Sequence, residues 1–194
     1  MIKLDRVVFS YGEKRVLDGF SMTAQSGELL AVMGPSGCGK STLLHLLAGL
    51  RAPQSGTLTV DERLPVYVFQ EPRLFPWLTV TENILAVLPK GAPEDRIADS
   101  LALVGLSAEG SALPSSLSGG MKSRASLARA LAYGAVVGSS LYLLDEPFSA
   151  LDEPLRKSLC SALKDRFRAS GATALLVTHD PDEAAAFADR VVRM

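Results

Sequence analysis

Three short apolar runs interrupt an otherwise mixed chain: LLAVM at 29–33, LYLL at 141–144 and TALLV at 173–177. Runs of this length without alternation suit strands buried on both faces, as in a parallel sheet covered by helices. Each run delivers polar chemistry at its carboxyl end: a glycine-rich loop after the first, Asp145 and Glu146 after the second, Thr178 and His179 after the third. Ligands of open α/β sheets gather at that edge, so three distant segments are expected to converge on one site.

The remaining patterns arrange themselves around this sheet. STLLHLLAGL at 41–50 predicts a helix ended by Gly49. KLDRVVFSY, VLDGFSM and TLTVDERL carry shorter alternations bounded by turn residues, as expected of an antiparallel lobe. Between Gln70 and Tyr133 the pattern turns helical, at 78–88, 95–106 and 118–132, which predicts a helical subdomain over about 71–133, inserted between two core strands.

Bulk properties narrow the class. With 194 residues, 47% hydrophobic and 21% charged, the chain is expected to form a single domain over 1–194 with a substantial core. Its 20 basic and 21 acidic residues leave a net charge of -1, so no overall positive field argues for nucleic acid or an anionic membrane surface. The amino terminus lacks a basic-then-apolar signal pattern, and no stretch approaches the roughly 20 apolar residues that span a bilayer. These features point to a cytoplasmic protein. Cys38 and Cys160 lie far apart without metal-ligand spacing and are read as free thiols, with Cys160 packing a helix.

The strongest chemical signal is GPSGCGKS at 34–41, which fits G-x-x-x-x-G-K-[ST] between a buried strand and an apolar helix. Gly34, Gly37 and Gly39 permit unusual dihedrals and close backbone approach, so successive amides at a helix start can cradle phosphate oxygens. Lys40 adds positive charge toward the β and γ phosphates, and the Ser41 hydroxyl is placed to ligate Mg2+. Asp145 can hold that ion through a water, while Glu146 is placed to orient or deprotonate an attacking water. His179 taken alone is a structural hydrogen-bonder, but its place at the same sheet edge directs it to the γ phosphate. His45, behind the loop, is read as structural, and Cys38 as a small filler within the loop.

With LSGGM at 117–121, these segments form an ordered series: FSYGEK, GPSGCGKS, VFQEP, LSGG, LYLLDEP, SALD at 149–152 and THD at 178–180. In that order, and over essentially its whole length, the chain resembles the nucleotide-binding domain of an ATP-binding cassette (ABC) transporter. The resemblance implies an α/β fold: a P-loop NTPase core with a mainly parallel sheet, an antiparallel β lobe and an inserted helical subdomain. It implies that Tyr11 stacks on adenine with Val16 beside it, that Ser36, Cys38 and Thr42 join the nucleotide-contacting set, and that Gln70 reaches Mg2+ and the lytic water. Two cassettes are expected to pair head to tail, as a homodimer or a mixed pair. Ser118, Gly119 and Gly120 of one would then close on the ATP held by the other, and Asp152 would communicate across the interface.

The function implied is ATP hydrolysis that energises transport through a separate integral membrane permease, with the cassette peripheral on the inner face of the plasma membrane and a solute-binding protein as a further partner. VFQEPRLFPWLTVTENI is similar to the cassettes serving sulfonates, taurine, nitrate or pyrimidine precursors. Phe75, Pro76, Trp77 and Leu78 either form part of a groove for a permease helix or pack the helical lobe. Two other readings stay open: a soluble ABC ATPase in DNA repair or translation, and a nucleotide-binding module with weakened catalysis. Against the family pattern, Met121 replaces a glutamine, YGAVVGSS at 133–140 is long and is therefore expected to be a surface loop, and DERLP at 61–65 is short. The end of the chain at DRVVRM implies a marginal last strand and no regulatory tail of its own.

Overall fold

In a computed structural model, the described residues are 1–62 and 65–194. Of the short DERLP stretch, Arg63 and Leu64 therefore lie outside the described residues. In chain order the elements are β1 (Ile2–Tyr11), β2 (Lys14–Ala24), β3 (Leu29–Met33), α1 (Lys40–Leu47), β4 (Ser55–Val60), β5 (Val66–Val68), α2 (Val80–Leu85), α3 (Glu94–Leu103), α4 (Gly119–Val137), β6 (Leu141–Asp145), α5 (Glu153–Ser170), β7 (Thr173–Thr178), α6 (Pro181–Phe187) and β8 (Arg190–Arg193).

A five-stranded parallel sheet runs in the order β5-β6-β7-β3-β8, and a separate antiparallel sheet in the order β2-β1-β4. The apolar runs are continuous because both faces of the parallel sheet are covered. On β6, Tyr142 and Leu144 enter one core with α4 and α5, whereas Leu141 and Leu143 enter another with α1 and the antiparallel lobe. On β7, Leu176 and Leu175 divide in the same way. The alternation that marks a one-sided strand is absent because neither side meets water.

The expected helices α1, α2 and α3 form, and Gly49 follows α1 at φ 69°, the left-handed geometry of a helix stop. Three helices lie between β5 and β6, as the inserted segment predicted. The last strand, read as marginal, pairs in parallel with β3 from Arg190 opposite Leu30 to Arg193 opposite Met33.

One expectation is overturned. The segment at 133–140 is not a surface loop: α4 continues to Val137 and stops at Gly138, at φ 71°. Gly134 is part of the helix and serves packing. A Cβ there would lie 2.3 Å from Oη of Tyr142, so only glycine lets α4 settle onto β6.

Candidate phosphate and water-activating site

The carboxyl ends of β3, β6 and β7 meet around an open cavity of about 410 Å³, lined by Ser36, Gly37, Gly39, Lys40, Ser41 and Thr42 from the loop and α1. Gln70, Glu146 and His179 line it too, together with Tyr11 and Val16 from the antiparallel lobe. The convergence expected from three apolar runs is therefore realised.

The loop is built for anions. Gly39 caps α1 at φ 109° without a side-chain acceptor, so the first amides of the helix keep their donors for a ligand. A Cβ at this position would meet Val16 Cγ1 at 2.7 Å, which ties the loop to the wall of the antiparallel lobe. Lys40, only 6% exposed, donates through Nζ to the carbonyls of Gly34 at 2.8 Å and Pro35 at 3.0 Å. Gly34 lies at the back of the loop, where a Cβ would meet Cys38 Sγ at 2.7 Å. Cys38 thus fills space inside the loop and does not line the cavity.

Asp145 sits below the cavity floor, buried. Its Oδ1 accepts from Ser41 Oγ at 3.1 Å and its Oδ2 from the Tyr67 hydroxyl at 3.1 Å. Burial raises the Asp145 carboxyl above its ordinary value; the two hydrogen bonds work against that shift and the neighbouring Glu146 adds to it. Burial together with Asp145 likewise pushes the Tyr67 phenol upward, keeping it a donor. Tyr67 also stacks on His45, with centroids 5.7 Å apart, and leans on Phe69 at 4.2 Å. His45 thus packs behind the floor, and burial depresses its imidazole.

Glu146 occupies the left-handed region at φ 45°, an uncommon conformation for a non-glycine residue. Its amide donates to the Val177 carbonyl at 3.0 Å, continuing the sheet, while its Oε2 accepts from Gln70 Nε2 at 3.4 Å and lies 3.3 Å from His179 Nδ1. One carboxylate oxygen is therefore the meeting point of two segments far apart in sequence. Gln70 is held from the helical side. Arg129 of α4 donates to the carbonyls of Pro72 at 3.0 Å and Arg73 at 2.9 Å, and the Arg73 guanidinium lies 4.0 Å over the Phe69 ring.

Tyr11, 44% exposed, lines the cavity, with Phe9 edge-to-face at 5.0 Å and the Arg51 guanidinium over its ring, 5.7 Å from the centroid. An exposed aromatic face beside a phosphate loop suits a purine.

Ser118, Gly119, Gly120 and Asp152 do not line this cavity within the same chain. Ser118 caps α4, accepting from the Met121 amide at 3.2 Å, and Gly119 has open space where a Cβ would point. Gly120 is pressed against the loop before α5, where an added Cβ would lie 2.9 Å from the Ala150 carbonyl. Asp152 caps α5 by accepting from the Leu155 amide at 3.0 Å, a local duty besides the one expected of it. The Met121 side chain packs against the main core instead of facing the cavity.

Two residues escaped sequence reasoning. Lys14 lines the cavity beside Tyr11, and its only signal was a cation next to the β1–β2 turn. Tyr67 holds Asp145 from β5, and nothing in VYVFQ signals a contact 78 residues away.

The 71–88 region also exposes apolar surface. Buried Asn83 accepts from the Phe75 amide at 2.7 Å and donates to the carbonyls of Phe75, Leu78 and Thr79, which pins the turn carrying Trp77, 72% exposed. Trp77 is therefore displayed on a rigid turn and is not packing for the helical lobe. Cys160 is buried as expected, with its thiol pushed up to about 11 by burial.

Among the described residues, no helix is long and apolar enough to cross a membrane. The ABC transporter family model matches residues 17–149. The chain is 43% identical over 192 residues to the aliphatic sulfonates import ATP-binding protein of Albidiferax ferrireducens, covering 94% of this chain and 66% of that protein. It is 44% identical over 194 residues to the corresponding protein of Streptomyces avermitilis, covering 100% and 72%. Among solved structures it resembles the dimeric bacterial ABC transporter cassette MJ0796, with a TM-score of 0.87 and 28% identity over 100% of this chain and 94% of that one. The post-hydrolysis state of MJ0796 bound to ADP and Pi gives a TM-score of 0.88 at 29% identity. The chain belongs to the ABC transporter family, as one of its ATP-binding cassettes.

Proposed function

We propose that the chain is a single-domain ATPase subunit that pairs head to tail with a second cassette and energises solute movement through a separate membrane permease, docked on the inner face of the membrane. The observation that carries this reading is the convergence of Gln70 and His179 on Oε2 of Glu146, in the same cavity that the phosphate loop lines.

In this reading Tyr11 stacks on the adenine, Val16 packs beside it, and Ser36, Gly37, Gly39 and Thr42 bind the phosphates through the loop and the first turn of α1. Lys40 neutralises the β and γ phosphates. Glu146 accepts a proton from the attacking water while Gln70 orients it, and His179 contacts the γ phosphate. Ser118 and Gly119 of the second cassette close over that phosphate, so ATP joins the two chains and its hydrolysis lets them part.

Magnesium fits the donor set. Ser41 Oγ and Asp145 Oδ1, 3.1 Å apart, are hard oxygens, and the Gln70 amide oxygen would join them. When bound, Mg2+ would offset charge on the β and γ phosphates. Tyr67 and Ser41 hold the Asp145 carboxylate ready for it.

The rigidly displayed Trp77, with half-exposed Phe75 5.9 Å away, supplies the apolar surface for a permease helix. The aliphatic sulfonates import proteins it resembles support a small sulfonate or related oxyanion as solute; a solute-binding protein as a further partner is part of the same proposal. Co-expression with a candidate sulfonate permease tests the assignment: a stable complex whose ATP turnover is raised by solute and lost in Trp77→Ala supports it, and a complex indifferent to Trp77→Ala contradicts the docking surface.

A further inference from the structure

The phosphate site leaves a part-buried charged cluster around Glu183 unused. Arg156, in the first turns of α5, donates through Nη1 to Asp180 Oδ2 at 2.6 Å and to Glu183 Oε1 at 3.4 Å. Glu183 is 5% exposed, and its other oxygen, Oε2, accepts from Thr178 Oγ1 at 2.6 Å. Thr178 Oγ1 in turn accepts from the Asp180 amide at 3.0 Å, and Asp180 Oδ1 accepts from the Asp182 amide at 2.8 Å, capping α6. Arg156, Asp180, Asp182 and Glu183 line a separate cleft of about 330 Å³ between α5 and α6.

The cluster grips the residues on both sides of His179. His179 itself has a side chain 66% exposed, with Glu146 Oε2 at 3.3 Å as its ion-pair contact. A ring so exposed is aimed mainly by the backbone that carries it, and that backbone is held through Thr178 and Asp180. The other end of the clamp is α5, whose Arg156 amide donates to the carbonyl of Asp152 at 2.9 Å. α5 therefore ties the loop that follows Glu146 to the turn that carries His179.

We propose that Arg156 is a positioning residue for ATP hydrolysis: through Asp180, Glu183 and Thr178 it fixes the turn that aims His179 at Glu146. The inference rests on the hydrolytic role proposed for that pair. Arg156 lines no part of the phosphate cavity, so it has no direct hold on nucleotide.

The test compares Arg156→Gln and Arg156→Lys with Arg168→Gln, which breaks the ion pair with Asp189 at the far end of the same helix. ATPase kinetics, affinity for a fluorescent ATP analogue and thermal unfolding are read for each. Arg156→Gln is expected to lower kcat about tenfold or more, with KM and analogue affinity within about twofold of wild type. Arg156→Lys, which keeps a charge that can reach Asp180, should recover part of kcat, and Arg168→Gln should change thermal unfolding while leaving kcat alone. An unchanged kcat in Arg156→Gln, an equal loss in Arg168→Gln, or failure of both Arg156 variants to fold would overturn the inference. Absence of hydrolysis by the wild-type protein would instead remove the underlying catalytic reading.

Discussion

The Tyr67 hydroxyl donates to Asp145 Oδ2 at 3.1 Å, so the carboxylate at the floor of the phosphate site is held from β5 as well as from Ser41. Removing one donor from a buried carboxylate leaves it under-satisfied. Tyr67→Phe should therefore cost about 1 to 3 kcal/mol of unfolding free energy. Urea denaturation without nucleotide measures it, and an unchanged midpoint would show that the contact holds nothing.

Asp145 also predicts a pH dependence. Burial raises its folded-state value, so the folded protein holds the proton to higher pH than the unfolded chain does. Stability contributed by this group falls as pH climbs from the ordinary aspartate value through the raised one. Nucleotide-free Asp145→Asn should accordingly be more stable than wild type at neutral pH, with the advantage vanishing in acid below the ordinary aspartate range. Denaturation curves across pH test the sign; a penalty at neutral pH would contradict it.

Gly134 makes a sharper claim about packing. A Cβ there would lie 2.3 Å from Tyr142 Oη and 2.7 Å from Cζ, and Tyr142 is itself buried. Gly134→Ala should destabilise by about 1 to 3 kcal/mol despite the better helix propensity of alanine. A gain in stability would mean that α4 can shift off β6 at little cost.

That glycine also explains what the sequence concealed. The strands at 29–33, 141–145 and 173–178 were legible because burial on both faces leaves unbroken apolar runs, and the loop residues 34–41 because their chemistry has few other uses. The segment at 133–140 reads as a loop on its length, whereas Gly134 continues α4 because its missing Cβ lets the helix meet Tyr142, a partner the sequence does not reveal. Tyr67 was hidden for the same reason: Val66 and Val68 announce a strand, but the partner of the residue between them comes from the far end of another strand.

Met121, which departs from the family's usual glutamine, packs on the main core and lines no part of the phosphate cavity. Met121→Gln should leave the nucleotide affinity of a single chain within about twofold, since no contact to nucleotide is made or lost there. Titration with a fluorescent ATP analogue at concentrations that keep the protein monomeric checks this. A tenfold change would mean that position 121 reaches nucleotide bound by its own chain.

Ser118 and Gly119 stand away from the cavity of their own chain, so we propose that a second cassette completes the site. Glu146→Gln removes the proton acceptor while keeping the shape and the neighbours of the side chain, so ATP should bind and persist. Analytical ultracentrifugation of Glu146→Gln is the most direct measurement. A monomer without nucleotide that becomes a stable dimer with ATP, but not with ADP, is the predicted result; a protein that stays monomeric with ATP, or dimerises equally without it, would contradict the account.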